Sequence, residues 1–187
     1  MAIAFKEIEK EFKETFGYVK QDIDEILKKN LALNYTIALL VCCACEMLTR
    51  HRDRRDDQAF KVFTSLLPEP YKAVGKTLWE ALRNGLAHNF RPYTIKIEND
   101  KWRIAISSHQ SGPRVRVTKG QPHWIHLNIR ALWSQVIPQI DAYEQELRTS
   151  ADARLRFHEK SNRYIRIIHT EARIADALRS IVGETHS

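Results

Sequence analysis

The chain has 187 residues, which is enough for one domain but too short for two full hydrophobic cores. Its hydrophobic fraction of 43% and charged fraction of 28% are typical of a folded globular protein and exclude disorder as the main state. The formal net charge of +7 is compatible with a polyanionic partner such as RNA, although many basic proteins bind no nucleic acid.

The first part of the chain is predicted to be helical. Apolar residues recur at three- and four-residue steps over residues 3–29, with Gly17 as a place for a bend. A second helix is expected from Asn30 to His51, and its nearly apolar middle predicts a central position in the fold. A charged turn, Arg50–Asp57, precedes a short helix that ends near Leu67, where two prolines follow.

A fourth helix is predicted from Tyr71 to Asn89, and Pro92 prevents it from continuing. Over residues 93–106 the hydrophobic period changes to two, which is the pattern of a β-hairpin. The segments Arg114–Thr118 and Trp124–Leu127 are candidates for two further short strands.

The last part of the chain is helical again. Asn128 is a suitable N-cap for a helix over Ile129–Leu147, for which Pro138 is a candidate kink. A final helix is expected over Ala151–Val182 because apolar residues form a stripe along it.

These elements predict a mainly α fold in a single domain, an antiparallel helical bundle with a small antiparallel β-sheet inserted after the fourth helix. We assign the bundle to about 1–90 and 128–182 and the insertion to about 93–127. The longest apolar run, Ile37–Cys45, is about half of what a membrane span needs. We therefore expect a cytoplasmic protein without membrane contact, whose three cysteines, all within this run, are core residues and not metal ligands.

The segment Leu82–Pro92 carries the candidate chemistry. On a helix, Arg83, Asn84 and His88 lie on the polar side, away from the leucines. Asn84 and His88 are one turn apart, and Arg83 flanks them. Histidine exchanges protons near neutral pH, arginine matches phosphate oxygens bidentately, and asparagine can orient either the histidine or the substrate. The group suits cleavage of RNA by its own 2′-hydroxyl with no metal and no cofactor, although such a spacing also occurs by chance in many helices.

This reaction needs both a proton acceptor and a proton donor. The motif supplies one histidine per chain, His88. We therefore expect two chains to bring their motif faces together in a homodimer with a composite site.

Arg83-Asn84, followed by Gly85-Leu86-Ala87 and then His88, resembles the signature of the HEPN family (higher eukaryotes and prokaryotes nucleotide-binding domains). That signature is an arginine, a polar residue, several variable residues and a histidine, near the end of a helix in a four- or five-helix bundle. The resemblance implies a dimeric, metal-independent endoribonuclease whose two motifs meet at the interface. The sequence Leu-Arg-Asn-Gly-Leu-Ala-His is similar to that of HEPN members in prokaryotic toxin and defence systems. The resemblance therefore implies an antitoxin or a regulatory protein as a candidate partner.

Glu46 is the only acidic residue between Asn30 and Asp53, and it follows an apolar stretch. The resemblance implies that it contacts Arg83, since an acid on the preceding long helix often does so in HEPN ribonucleases. Glu46 can equally lie at the solvent end of its helix and pair with Arg50, one turn on. The sequence leaves both alternatives open.

Residues after the motif extend the candidate surface. Arg91 and Lys96 are candidates for RNA binding, although Arg91 can instead cap the fourth helix at its negative end. His123, Trp124 and His126 form an aromatic cluster that is a candidate for stacking on RNA bases. We favour the alternative that Trp124 is a core residue and that the histidines, which lie on opposite sides of a strand, are incidental.

Two other functions are compatible with the sequence. One is a non-catalytic HEPN-like adaptor that binds nucleotides or RNA, or mediates dimerisation, without cutting. The other is a basic helical interaction protein in which the motif is a coincidence.

Overall fold

The computed structural model of the chain describes residues 3–29, 31, 33–52 and 58–164. Within these ranges the fold is mainly helical with one small sheet, as the sequence predicts. The helices are α1 (Phe5–Phe12), α2 (Tyr18–Lys28), α3 (Asn34–Arg52), α4 (Lys61–Leu66), α5 (Gly75–Asn89), α6 (Ile129–Thr149) and α7 (Ala151–Tyr164). The strands are β1 (Ile95–Ile97), β2 (Asp100–Ser107), β3 (Val115–Thr118) and β4 (His123–Asn128).

The N-terminal helical segment is divided by a wider turn. A π-helical stretch, Lys13–Gly17, connects α1 to α2 at the position where the sequence predicts a bend. Both helices bury one apolar side, with Ile8 and Phe12 buried in α1, Phe16 within the π-helical stretch, and two further residues, at positions 23 and 27, in α2. The amphipathic pattern of residues 3–29 therefore survives the change of helical pitch.

Helix α3 lies at the centre of the described fold. It contacts α2, α4, α5, α6 and α7, because its apolar residues face several neighbours at once. Cys42 and Cys45 are buried in it and Cys43 is half-buried, and all three are free thiols. The prediction that these cysteines are core residues is confirmed for the two buried ones.

The sheet is mixed and not antiparallel, so that part of the prediction is wrong. Its strand order is β1-β2-β4-β3, and the β1–β2 and β3–β4 pairs are antiparallel as expected. The β2–β4 pair is parallel, with Arg103 beside Trp124 and Ile104 beside Ile125. Strand β4 carries the more buried side chains, so it occupies the interior of the sheet and β3 takes the edge. An alternating pattern shows which face a residue occupies but not which strand lies beside it.

Helices α6 and α7 complete the described structure. The side chain of Asn128 accepts a hydrogen bond from the Ala131 N–H at 3.3 Å, which confirms it as the N-cap of α6. Helix α6 continues through Pro138 to Thr149. The predicted continuation of the last helix to Val182 lies outside the described residues, as does most of the predicted charged turn after α3. Within the described ranges, no helix combines the length and apolarity that a membrane crossing requires.

Candidate functional site

Helix α5 presents the motif on a solvent-facing side. Leu78, Leu82 and Leu86 are buried on its other side, and α5 packs against α3 and α4. The helix ends where Phe90 adopts a left-handed conformation with φ of 54°, and its N–H bonds to the Leu86 carbonyl at 3.2 Å. The polar side of α5 is therefore fixed by packing on its apolar side, as the sequence predicts.

Gly85, inside the motif, permits a close backbone crossing. The chain after α5 folds back over this residue, and the Tyr93 N–H bonds to the Ala81 carbonyl at 2.8 Å. A Cβ at Gly85 would lie 2.5 Å from both the Arg91 carbonyl oxygen and the Tyr93 nitrogen. A side chain does not fit there, so glycine at this position is required by the path that leads from the motif helix to the sheet.

Glu46 bridges two arginines. The Arg83 Nε donates to Oε2 of Glu46 at 3.2 Å, and an Arg50 Nη2 lies 2.5 Å from Oε1. Both contacts that the sequence left open are therefore present, one on each carboxylate oxygen. The Glu46 side chain is 11% exposed and the Arg83 side chain 33%, so the arginine keeps access to solvent while its partner is nearly buried.

Asn84 and His88 differ in their contacts. The Asn84 Oδ1 accepts a hydrogen bond from Nη1 of Arg83 at 3.3 Å, so the amide helps to position the guanidinium. His88 is exposed in the last turn of α5, and within the described ranges no hydrogen bond joins it to Asn84 or Arg83. At ~100° per residue, Arg83 and His88 are separated by about 140° around the helix axis. One chain therefore gathers Glu46, Arg83 and Asn84, whereas His88 faces outward.

A cleft of about 680 Å³ opens beside the Glu46–Arg83 pair. Its lining includes Val19, Cys43, Glu46, Met47, Arg50 and Arg83. Burial raises the pKa of the Cys43 thiol, the Glu46 charge raises it further, and the Arg83 charge opposes these effects. The thiol is therefore protonated at neutral pH and is not poised to act as a nucleophile.

The two other residues predicted to bind RNA lie beyond the motif. Arg91 is exposed just after α5, and in the described structure its backbone N–H, not its side chain, bonds to the helix end, at Gly85. Lys96 is exposed on β1. Arg91 lines a cleft of about 530 Å³ between the end of α5 and the sheet, which we call the sheet cleft. Its lining includes Tyr35, Asn89, Arg91, Tyr93, Arg103 and Trp124.

Sequence reasoning missed Arg103 and misplaced Trp124. Trp124 is half-buried and not in the core, and the Arg103 guanidinium carbon lies 5.8 Å from the centroid of its ring. His123 and His126 occupy opposite faces of β4, as predicted, and His123 stacks on Trp102 at 4.4 Å. The useful signal was the strand alternation itself, since Trp124 shares its phase with His126 and not with the buried Ile125.

Comparison of the chain with protein-family models, with curated proteins and with solved structures gave no match. The HEPN resemblance stays a prediction. Among the described residues, no three histidine, cysteine, aspartate or glutamate side chains are grouped in a way that would hold a metal ion.

Proposed function

We propose that this protein is a HEPN-like, metal-independent endoribonuclease that acts as a homodimer. The observation that carries the proposal is the Glu46–Arg83 pair, which holds a partly exposed guanidinium beside Asn84 on the same helix as an exposed histidine. Such a guanidinium is charged at all physiological pH values and suits the phosphate of a polyanion. A structural ion pair has no need of the neighbouring asparagine and histidine.

The residues can divide the reaction among them. The RNA 2′-oxygen attacks the adjacent phosphorus, its proton passes to one His88 imidazole, and the bond from phosphorus to the 5′-oxygen breaks. The leaving 5′-oxygen takes a proton from a second imidazole, which gives a 2′,3′-cyclic phosphate and a 5′-hydroxyl. Arg83 stabilises the negative charge on the phosphate oxygens, and Glu46 and Asn84 are positioning residues for it.

The outward position of His88 favours a composite site. Its imidazole is exposed, whereas the Arg83 guanidinium is turned towards Glu46 on α3. Two α5 helices meeting across an interface would place each His88 near the partner's phosphate-binding arginine. The second histidine would also supply the second proton role that one chain lacks.

The biological role follows from the resemblance alone. Growth inhibition or phage defence in the cytoplasm, with a neutralising antitoxin or a regulatory protein as partner, is the role that similar motifs carry in the HEPN family.

The reaction type is tested with a single-stranded RNA and a matched oligonucleotide that carries 2′-deoxyribose at every cleavage position found in the RNA. We expect cleavage of the all-ribose strand, products with 2′,3′-cyclic phosphate ends, and no cleavage at the 2′-deoxy positions. Equal cleavage of both strands would contradict attack by the 2′-hydroxyl. RNA binding by a folded dimer without any cleavage would favour the non-catalytic adaptor.

A further inference from the structure

The four-stranded sheet has two chemically different faces. The strand register places Ile95, Trp102, Ile104, Val117 and Ile125 on one face, where three of them are packed against the hydrophobic core and two are buried in it. Since side chains alternate along a strand, the residues between these positions point to the other side of the sheet. That other side is exposed or half-buried at every position that carries a charge.

The second face, which we call the open face, is basic. It is formed by Lys96, Lys101, Arg103, Arg116, Trp124 and His126. The strand positions of this face include no acidic residue. Among the described residues, no carboxylate forms an ion pair with any of its four cations. A face with uncompensated positive charge attracts a polyanion, and its affinity depends on salt concentration.

Trp124 gives the open face an aromatic surface. Arg103 lies beside it in the parallel register, with the guanidinium near the ring, and Thr118 is its partner on β3. The Thr118 hydroxyl is hydrogen-bonded to His126, two residues further along β4, at 3.1 Å. Exposed aromatic rings on a sheet stack with the bases of single-stranded nucleic acid, because every base has a π-face. A neighbouring arginine can contribute a phosphate contact or a second stacking plane.

The open face is continuous with the end of the motif helix. Asn89 and Arg91 line the sheet cleft on the α5 side, and Arg103 and Trp124 line it on the sheet side. Asn89 follows His88 directly in the chain. A single-stranded RNA whose phosphate lies near His88 therefore has a path through the sheet cleft onto the open face.

We propose that the open face binds the single-stranded RNA that flanks the cleaved phosphate, with Trp124 stacked on a base and Arg103 and Arg116 bound to phosphates. The inference rests on the proposed ribonuclease function, because that function supplies both the RNA ligand and its path from His88 to the open face. It assigns a role to the sheet, which the HEPN resemblance does not explain.

Binding is measured by fluorescence anisotropy with a labelled 12-nucleotide single-stranded RNA in the His88→Ala background, so that cleavage does not interfere. We expect Arg103→Ala, Arg116→Ala and Trp124→Leu each to weaken binding about tenfold. The two arginine variants should also lower the slope of log Kd against log salt by about 0.7 each. The matched control is Lys6→Ala, which removes one exposed charge on α1, away from the sheet, and should leave both quantities unchanged.

Equal affinities and salt slopes for Arg103→Ala, Arg116→Ala and Lys6→Ala would overturn the proposal. Equal binding of a fully paired RNA duplex would also overturn it, because stacked bases cannot reach Trp124. If adenosine monophosphate competed with the labelled RNA as effectively as the unlabelled 12-nucleotide RNA does, the open face would be a free-nucleotide site instead. Failure of the ribonuclease proposal is separable, since a protein that never cleaves RNA would still show the losses at the open face.

Discussion

Arg83 and Glu46 connect the motif helix to the central helix through a hydrogen bond of 3.2 Å between Nε and Oε2. The other oxygen of the same carboxylate contacts Arg50, one turn along α3. Because the carboxylate is nearly buried and contacts both cations, Glu46 fixes the position of Arg83 as well as compensating its charge.

The Glu46→Gln variant should therefore lose both stability and activity. We expect the free energy of unfolding to fall by about 1–3 kcal/mol, since the nearly buried Arg83 contact loses its negative charge. RNA cleavage should slow by about tenfold or more, because the Arg83 guanidinium is no longer held in place. Urea unfolding and initial cleavage rates measure the two effects.

The control for this variant is Glu25→Gln, which removes an exposed carboxylate 3.2 Å from Lys29 on α2. Exposed pairs contribute little, so its free energy of unfolding should change by less than about 1 kcal/mol. A Glu46→Gln protein as active as Glu25→Gln would contradict the positioning role of Glu46.

Gly85→Ala should destabilise the protein by more than ~2 kcal/mol. The new methyl group would meet main-chain atoms of Arg91 and Tyr93 at 2.5 Å, and these atoms cannot rotate away. Gly17→Ala is the matched control, because its Cβ would meet the Lys13 Cβ at an ordinary 3.6 Å. Since alanine favours helix over glycine, this control should be neutral or slightly stabilising in urea unfolding. Equal urea midpoints for the two variants would show that the backbone of residues 91–93 does not pack closely over Gly85.

His51 should make the stability of the fold depend on pH. It is 3% exposed between Phe16 and Phe157, and burial together with the charge of Lys160 lowers its pKa from 6.5 to about 4. The folded state keeps the imidazole neutral, so between pH 6.5 and 4 the unfolded state binds more protons. Stability from this group is complete above pH 6.5 and is lost as the pH falls towards 4, by up to about 3 kcal/mol.

The measurement is the free energy of unfolding at pH 7, 6, 5 and 4.5 for the wild type and His51→Gln. Carboxylates that titrate in this range affect both proteins equally, so the difference between the two curves reports His51. A difference that does not change with pH would show that His51 titrates alike in both states.

The composite site predicts that one altered chain disables the whole dimer. Because both His88 imidazoles act in the shared site, a dimer of one wild-type and one His88→Ala chain should be inactive. After equal amounts of the two proteins are unfolded and refolded together, about a quarter of the wild-type cleavage rate should remain, against about half if each chain acts alone. The control refolds two differently tagged batches of wild type. A remaining rate near half, in a mixture that has demonstrably exchanged subunits, would contradict the shared site.

Helical periodicity was sufficient to place the motif. Leu78, Leu82 and Leu86 repeat at one-turn spacing, and their burial fixes the orientation of Arg83 and Asn84 on the other side of α5. The periodicity could not decide between the two partners of Glu46, because a small change of helix phase favours one or the other. In the structure, Glu46 contacts both Arg83 and Arg50.

The sheet was less predictable for a physical reason. The alternation correctly identified the faces, with His123 and His126 on opposite sides, but the parallel pairing of β2 and β4 depends on contacts distant in sequence. Trp124 was misplaced because a large aromatic residue on a strand is usually buried, whereas here it shares the phase of the basic residues.

The central claim is tested most directly by incubating labelled total RNA with purified protein in excess EDTA, for the wild type, His88→Ala and the control His109→Ala. His88 and His109 are both exposed, so neither substitution should change the free energy of unfolding beyond about 0.5 kcal/mol. We predict cleavage by the wild type and by His109→Ala, and loss of cleavage in His88→Ala. Equal cleavage by all three proteins would contradict a ribonuclease centred on His88.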